Sequence, residues 1–481
     1  MVWNRKNKTR GCYHLRNALI LLFILPAIAG NTQVTRSVYF HENLPSSSVL
    51  NPAFHPNCNF YFNLPVISTF YIGFESPFSF NQLTTKYPEG DSLFIDREAV
   101  IDVLKPKNYF SFELYNEIGR AGFRVKRHFF HASIAKVFST KFSFDKDLIA
   151  LFLYGNAHEN FFGKKVSFSK MGLNMTSYHE FSLGYSFEIN EKLTVGTRLK
   201  YLNGAFNIWT ERAEFTLHTD DASNYALTAS SDILLHTSST ISDFDNLIDQ
   251  VEGYRWFDLS ENHGYGFDLG VEFKPNDKLK FTASVTDLGW IGWRENVKNF
   301  TSANPGEEYE FNGFDIDDFI EDDSFSDSFD FTDTLRNHFQ LMEDNKPYTS
   351  RLNPKVYLGG LWYLNKRNEL GLLIRTDLVE NNIQPSFTLN YSRNIGRFLT
   401  AFGNYSILNR NIANIGFGLI IRTGPVQIYG MTDIVYGVFT PAETPNYNFQ
   451  VGINLLFGTR ADKYKGIPAE ELNAEPAPEN E

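Results

Sequence analysis

The chain has 481 residues and a formal net charge of −12, which argues against a nucleic-acid partner, because such partners select a basic face. Aromatic residues make up 16% of it, with 46 Phe and 24 Tyr, yet mean hydropathy is only −0.28. After the N-terminus no apolar run reaches the roughly 18 residues that a spanning helix needs, so a helical membrane protein is excluded.

Residues 1–29 read as a secretory signal: Arg5, Lys6, Lys8, Arg10 and Arg16 precede the apolar run 18–29, and Ala27-Ile28-Ala29 is a small-x-small cleavage site. Cleavage there removes five basic residues and takes the net charge to −17. Cys12 falls in this signal, and Cys58 is left alone. Neither a disulfide framework nor a cysteine metal site follows, and Cys58 reads as a small half-buried residue.

Two stretches, 95–104 and 144–156, have helical spacing. In a barrel they would plug the lumen, cap its mouth, or sit as plain surface helices. His128 and His131 are three apart, so in a strand they face opposite sides and make poor co-ligands. The stretch 180–201 is the clearest hairpin. Phe181, Leu183, Tyr185, Phe187 and Ile189 alternate with Ser182, Gly184, Ser186 and Glu188, and after the turn at Asn190–Glu191 the alternation resumes through Leu193, Val195, Leu199 and Tyr201. Residues 264–285 repeat it around Pro275–Asp277, as do 368–378, 384–394, 414–424 and 448–458. Roughly 14 to 16 such segments of about 9–12 residues occur, the length that crosses a bilayer as a tilted strand.

Tight polar turns (190–191, 275–277, 365–368, 394–397, 423–425) alternate with long connections (237–262, 294–352, 437–446). That asymmetry and the signal predict an all-β fold: a transmembrane antiparallel outer-membrane β-barrel with short helical inserts over 58–457. Its apolar face would meet lipid. Its polar face would line the lumen with Arg198, Lys200, Asp268, Glu272, Arg375 and Asp377, charges of both signs that either pair and block ion leakage or line an eyelet. In 284–293, Trp290 and Trp293 suit an aromatic girdle at a strand end. Asp287 has the parity of the apolar face, which puts it at the rim or past a bulge near Gly289.

The acidic, Phe-studded insertion 294–352 reads as a solvated helical extracellular loop; its Asp315, Asp317 and Asp318 lack the glycine and final Glu of an EF-hand loop. Residues 458–481 are Pro/Ala/Glu-rich and read as a disordered periplasmic tail. No nucleophile elbow, P-loop or HExxH occurs, so neither an enzyme nor a metal or cofactor site is expected.

Four stretches taken in order, "LNPAFHP" (50–56), "LGYSFEINEKLTVGTRLKYLNG" (183–204), "TDLGWIGW" (286–293) and "NFQVGINLLFG" (448–458), resemble FadL-like barrels and their PorV-type and PorP/SprF-type relatives. More specifically they look like DUF5723, an uncharacterised outer-membrane family of Bacteroidetes. The resemblance implies about 14 strands and an N-terminal segment, 30–57, tucked into the lumen. Asn51-Pro52-Ala53-Phe54 is then a plug-and-gate turn or an ordinary turn into strand one; Pro52 fixes φ and holds Asn51 extended.

Three functions compete. FadL-like barrels imply a channel or carrier for apolar small molecules, with a lateral opening or kink in the wall. PorV-type relatives imply an accessory or scaffold for type IX secretion, gliding or envelope assembly, with a filled lumen and a protein partner. An outer-membrane hydrolase is the third, with no Ser/His spacing that singles it out.

Overall fold

Period-two alternation over long segments leaves each strand with one apolar and one polar face, and closing the sheet on itself removes its edges. In a computed structural model that describes residues 35–63, 68–86, 93–220, 227–239, 259–311, 341–379, 382–408 and 411–458, fourteen strands form this wall. They are β1 (Phe60–Asn63 and, after an interruption, Thr69–Glu75), β2 (Lys107–Val125), β3 (His128–Asp145), β4 (Gly172–Glu188) and β5 (Leu193–Thr219). Then come β6 (His263–Asn276), β7 (Leu279–Trp293), β8 (Lys355–Tyr363), β9 (Asn368–Val379) and β10 (Asn382–Ile395). The last four are β11 (Leu399–Leu408), β12 (Asn411–Thr423), β13 (Val426–Thr432) and β14 (Asn446–Phe457). Each pairs antiparallel with the next, and β14 pairs with β1 to close the barrel.

The polarity of the wall is inverted relative to a water-soluble protein. Leu183 is 68% exposed and Leu199 61%, whereas Ser182 and Arg198, on the opposite face, are buried. Phe267, Phe281, Leu358, Leu372, Phe387, Leu389 and Phe417 are likewise exposed. So much contiguous outward apolar surface has a stable home only in lipid. Among the described residues no helix is long and apolar enough to cross a membrane. The fold is therefore a transmembrane β-barrel.

One end carries the short turns predicted from sequence. At the other, the alternation with long connections is not strict: β9–β10 and β11–β12 are joined across only 380–381 and 409–410. The long connections build upward instead. The second half of β5 pairs with strand Leu227–Ser239, which pairs with Lys298–Ser302 and Glu308–Phe311. Lys298–Ser302 pairs with Leu341–Asp344, and Tyr348–Arg351 pairs with the end of β7. The flanks of the 294–352 insertion are thus β-structure that heightens the wall, not a helical loop. Its acidic centre, 312–340, lies outside the described residues, as do residues 1–29, expected to be a signal, and those from 459.

The helical stretches form α1 (Arg97–Val103), capped by Asp96 Oδ1 accepting from Ala99 N at 3.1 Å, and α2 (Lys146–Tyr154). Val100, Leu148, Ile149 and Leu153 pack with Phe78, Leu83 and Phe144 in a cluster at the long-connection end, apart from the central core. They sit at the mouth and do not plug the lumen.

Candidate functional site

The lumen is occupied by the chain's own residues 35–58. Two short 3-10 turns, Arg36–Phe40 and Pro45–Val49, are buried throughout. Val38, Tyr39, Phe40, Leu44, Val49, Leu50 and Phe54 share one cluster with Tyr71, Tyr115, Tyr178, Tyr357 and Tyr429 of the wall.

Side chains of distant strands satisfy the segment's backbone. Gln450 Oε1 accepts from Thr35 N at 2.8 Å, and Asp433 Oδ2 accepts from Arg36 N at 2.8 Å. Ser284 Oγ donates to Leu50 O at 2.6 Å. Lys280 Nζ donates to Glu42 Oε2 at 2.6 Å. Burial pushes the Glu42 carboxyl up, but Lys274 and Lys280 outweigh it and hold it well below the usual carboxylate range. The His41 ring lies tilted against that of Phe402, centroids 4.2 Å apart, and burial, with Lys280 adding to it, lowers its imidazole to about 3.

Glycines in the wall make room for this contact. A Cβ at Gly270 would stand 2.0 Å from Asn51 Oδ1, and one at Gly196 would stand 2.2 Å from the Pro52 carbonyl oxygen. Gly359 and Gly371 meet the rings of Tyr39 and Phe40 in the same way. The Asn51-Pro52-Ala53-Phe54 turn therefore lies flat on β5 and β6. Asn51 Nδ2 donates to Val271 O at 3.3 Å and Ala283 O at 3.4 Å, and its Oδ1 accepts from Ala53 N at 3.0 Å.

Beside the segment runs a belt of charge. Arg198 Nε donates to Asp268 Oδ2 at 2.7 Å, and Lys200 lies 2.8 Å from Asp268. Lys200 and Lys355 each reach Asp287 at 2.5 Å, from opposite sides. Arg375 clasps Asp377 at 2.7 and 2.8 Å. Glu272 faces Lys274 at 2.8 Å and Lys280 at 3.7 Å. All six lumen charges singled out in the sequence point inward, and the two signs pair.

Two of the girdle residues lie inside. Asp287 is buried past a bulge, the second of the two placements its parity left open. The β6–β7 register slips between Phe267↔Leu288 and Leu269↔Val285, and Asp287 takes φ +61° in that bulge, which turns its carboxylate into the lumen. Trp293 is fully buried, its Nε1 donating to Ser350 Oγ at 2.8 Å, because it lies an odd number of residues from Trp290 and so faces the other way. Trp290 is half exposed beside Tyr265 on the outside. Gly289 stands where a Cβ would strike the Tyr265 carbonyl oxygen at 2.5 Å.

Sequence reading missed Glu117 and Arg120, Glu180, Lys355, Glu42 and Asp433. Glu117 and Arg120 are three apart, and only the β2 bulge between Glu117 and Gly119 brings both inward. Asp433 lies just past the end of β13, where alternation gives no signal. Glu113, on β2, is buried with no hydrogen-bond partner for its carboxylate among the described residues. Among them, too, no three His, Cys, Asp or Glu side chains converge as a metal site would need.

Around residues 64–67, which lie outside the described residues, the register of β1 shifts on both edges, and β1 is bonded to β14 again at Ser68, whose carbonyl accepts from Ile453 N at 3.2 Å. Between the pairs Asn63↔Asn454 and Phe70↔Val451, β1 advances seven residues and β14 three. On the other edge, between Phe62↔Ala121 and Thr69↔Glu117, β1 advances seven and β2 four. Neither ladder can run unbroken across such a mismatch. Pro65, which has no N–H to donate, falls in this interval. Inside it, Asn63 Nδ2 donates to Glu117 Oε1 at 3.0 Å, Arg120 Nε to Glu117 Oε2 at 2.7 Å, and Arg120 NH1 to Ser48 Oγ at 2.6 Å. Tyr429 OH bonds Thr69 Oγ1 at 2.8 Å and donates to Ser46 Oγ at 3.3 Å. Residues flanking this interval are thus bonded to the lumenal segment through Arg120 on one side and Tyr429 on the other.

The chain is similar, at low identity, to several solved structures. A deletion mutant of the monoaromatic hydrocarbon channel TodX is 9% identical with a TM-score of 0.41, over 90% of this chain and 98% of that one. The Ralstonia pickettii toluene transporter TbuX is 8% identical with a TM-score of 0.40, over 90% and 97%. A Pseudomonas aeruginosa FadL homologue is 10% identical with a TM-score of 0.38, over 89% and 96%. The fold rests on the strand ladders and not on these scores. No curated protein matches the chain. One family profile does, a family of unknown function (DUF5723), over residues 52–433. That match spans most of the sequence, and the chain belongs to the DUF5723 family.

Proposed function

We propose that the protein is an outer-membrane channel or carrier for apolar small molecules, with the β1 interruption as the lateral route between lumen and bilayer. The double register mismatch at 63–70 carries the reading. It is a register shift on both edges of one strand, it lies in a lipid-facing wall, and on its inner side Arg120 and Tyr429 donate to Ser48 and Ser46 of the lumenal segment. The predicted signal and the apolar exterior support an outer-membrane location. The resemblance to FadL-like barrels supports the apolar cargo.

Deleting residues 64–67 would bring β1 into register with β14. In proteoliposomes that variant should still migrate as a heat-modifiable barrel while uptake of a labelled long-chain fatty acid falls at least tenfold. Native mass spectrometry of the intact protein from its own membrane should show an apolar adduct. Unchanged uptake after the deletion would overturn the lateral route.

The filled lumen favours a second reading, an accessory barrel for secretion, gliding or envelope assembly. A stoichiometric protein partner and no apolar adduct in the same spectrum would establish it.

A further inference from the structure

The six short turns, at one end of the barrel, are 126–127, 189–192, 277–278, 364–367, 396–398 and 424–425. They hold Lys126, Arg127, Lys192, Lys278, two adjacent cations at 366–367, and Arg397, against only Glu191 and Asp277. Seven bases to two acids is a reversal in a chain where acids outnumber bases 56 to 44. All seven cations are exposed.

Their position relative to the apolar band decides what they fit. Val125, Ile189, Leu364, Ile395 and Phe398 are exposed large apolar side chains within three residues of these cations. Arg393 is exposed on the outward face itself, two positions from Tyr391 and two from Ile395. The lipid-facing surface therefore passes within one to three residues into a ring of cations. A protein-docking patch has no need of such an apolar collar, whereas the phosphate layer of a bilayer lies just outside its hydrocarbon core.

We propose that this ring binds anionic phospholipid headgroups of the leaflet at the short-turn end, with the cations of five turns and Arg393 contacting lipid phosphates. This rests on the membrane reading above but not on the transport reading. The attraction is electrostatic and weakens as salt shortens the Debye length. The collar fixes the depth at which the guanidinium and ammonium groups meet the headgroups.

The test uses the full mature protein in neutral-detergent micelles doped with phosphatidylglycerol or phosphatidylethanolamine, with retained lipids counted by native mass spectrometry. Wild type should retain several-fold more phosphatidylglycerol, and the excess should shrink at high salt. A variant with Lys126, Arg127, Lys366 and Arg367 changed to Gln should lose most of the excess while remaining heat-modifiable. Equal retention of the two lipids, or an excess unchanged in the variant, would overturn the proposal. So would an excess that appears only after residues 459–481 are deleted, since the acidic tail would then be the ring's occupant. Wild type that is heat-modifiable yet shows no preference sinks this inference alone. Wild type that is not heat-modifiable and needs no detergent sinks the membrane reading with it.

Discussion

The wall and the segment inside it are held by different bonds. Wall strands pair mainly with their neighbours in sequence, as in the continuous ladder from Ser386↔Leu408 to Ile395↔Leu399. The segment is tied to residues hundreds of positions away: Thr35 to Gln450, Arg36 to Asp433, Tyr39 to Thr282. Its own regular structure is two five-residue 3-10 turns, which do not persist alone. The ladders of the wall do not include the segment, whereas the segment has no regular structure that would persist without the wall.

The charge belt tests the wall side of that contrast most severely. Arg198 is fully buried against Asp268, with Glu180 at 3.5 Å. Arg198→Met would leave those carboxylates without their guanidinium, and breaking one partner of a buried pair costs about 3–5 kcal/mol. Urea unfolding in lipid vesicles should show a loss of that size, with hydrogen exchange rising in wall and segment together. A loss under about 1 kcal/mol, the range of solvent-screened pairs, would mean that the belt is wet and not structural.

Wall glycines can separate the two regions. Gly270→Val and Gly196→Val push side chains into Asn51 and Pro52 without touching the strand ladders, an overpacking cost of about 1–3 kcal/mol. Exchange should rise in peptides covering 35–58 and stay unchanged in wall peptides. Gly360→Val is the control, because a Cβ there meets nothing nearer than Phe281 Cδ1 at 3.9 Å. Equal effects at all three sites would show that the wall, not the segment, had been disturbed.

The same contrast explains what could be read from the sequence. Strand faces are encoded by local parity, so Leu183 outward and Arg198 inward followed from alternation alone. Parity fails wherever the register slips, which is why Asp287 could be read only as at the rim or past a bulge and why Glu117 and Arg120 went unnoticed. Trp293 was a different error: a motif overrode the parity that already put it opposite Trp290. The segment's partners were illegible because each contact joins residues with no periodic relation. The glycines that seat Asn51, Pro52, Tyr39 and Phe40 look in sequence like any inward small residue of a strand.

Acidification should loosen the segment before the wall, and His41 is the reason. It is 5% exposed, its Nε2 has no hydrogen-bond partner among the described residues, and it titrates near 3 where a free imidazole titrates near 6.5. Because the seated form holds the lower value, the displaced segment takes up the proton first. The stabilisation is complete above 6.5 and declines as pH falls from there toward 3. One unit below 6.5, at pH 5.5, the loss is about 1.4 kcal/mol. Glu42 does not oppose this at pH 5.5, since against the push of burial Lys274 and Lys280 hold its carboxyl below the usual carboxylate range and it stays ionised there. Hydrogen exchange of 35–58, corrected for intrinsic rate, should therefore be about tenfold faster relative to pH 7.5, with wall peptides unmoved. In His41→Phe, which keeps the ring against Phe402 and removes the titration, the pH effect should vanish. If His41→Phe responds to pH as wild type does, the proton that loosens the segment is taken up elsewhere in the lumen, and the wall and the segment titrate together.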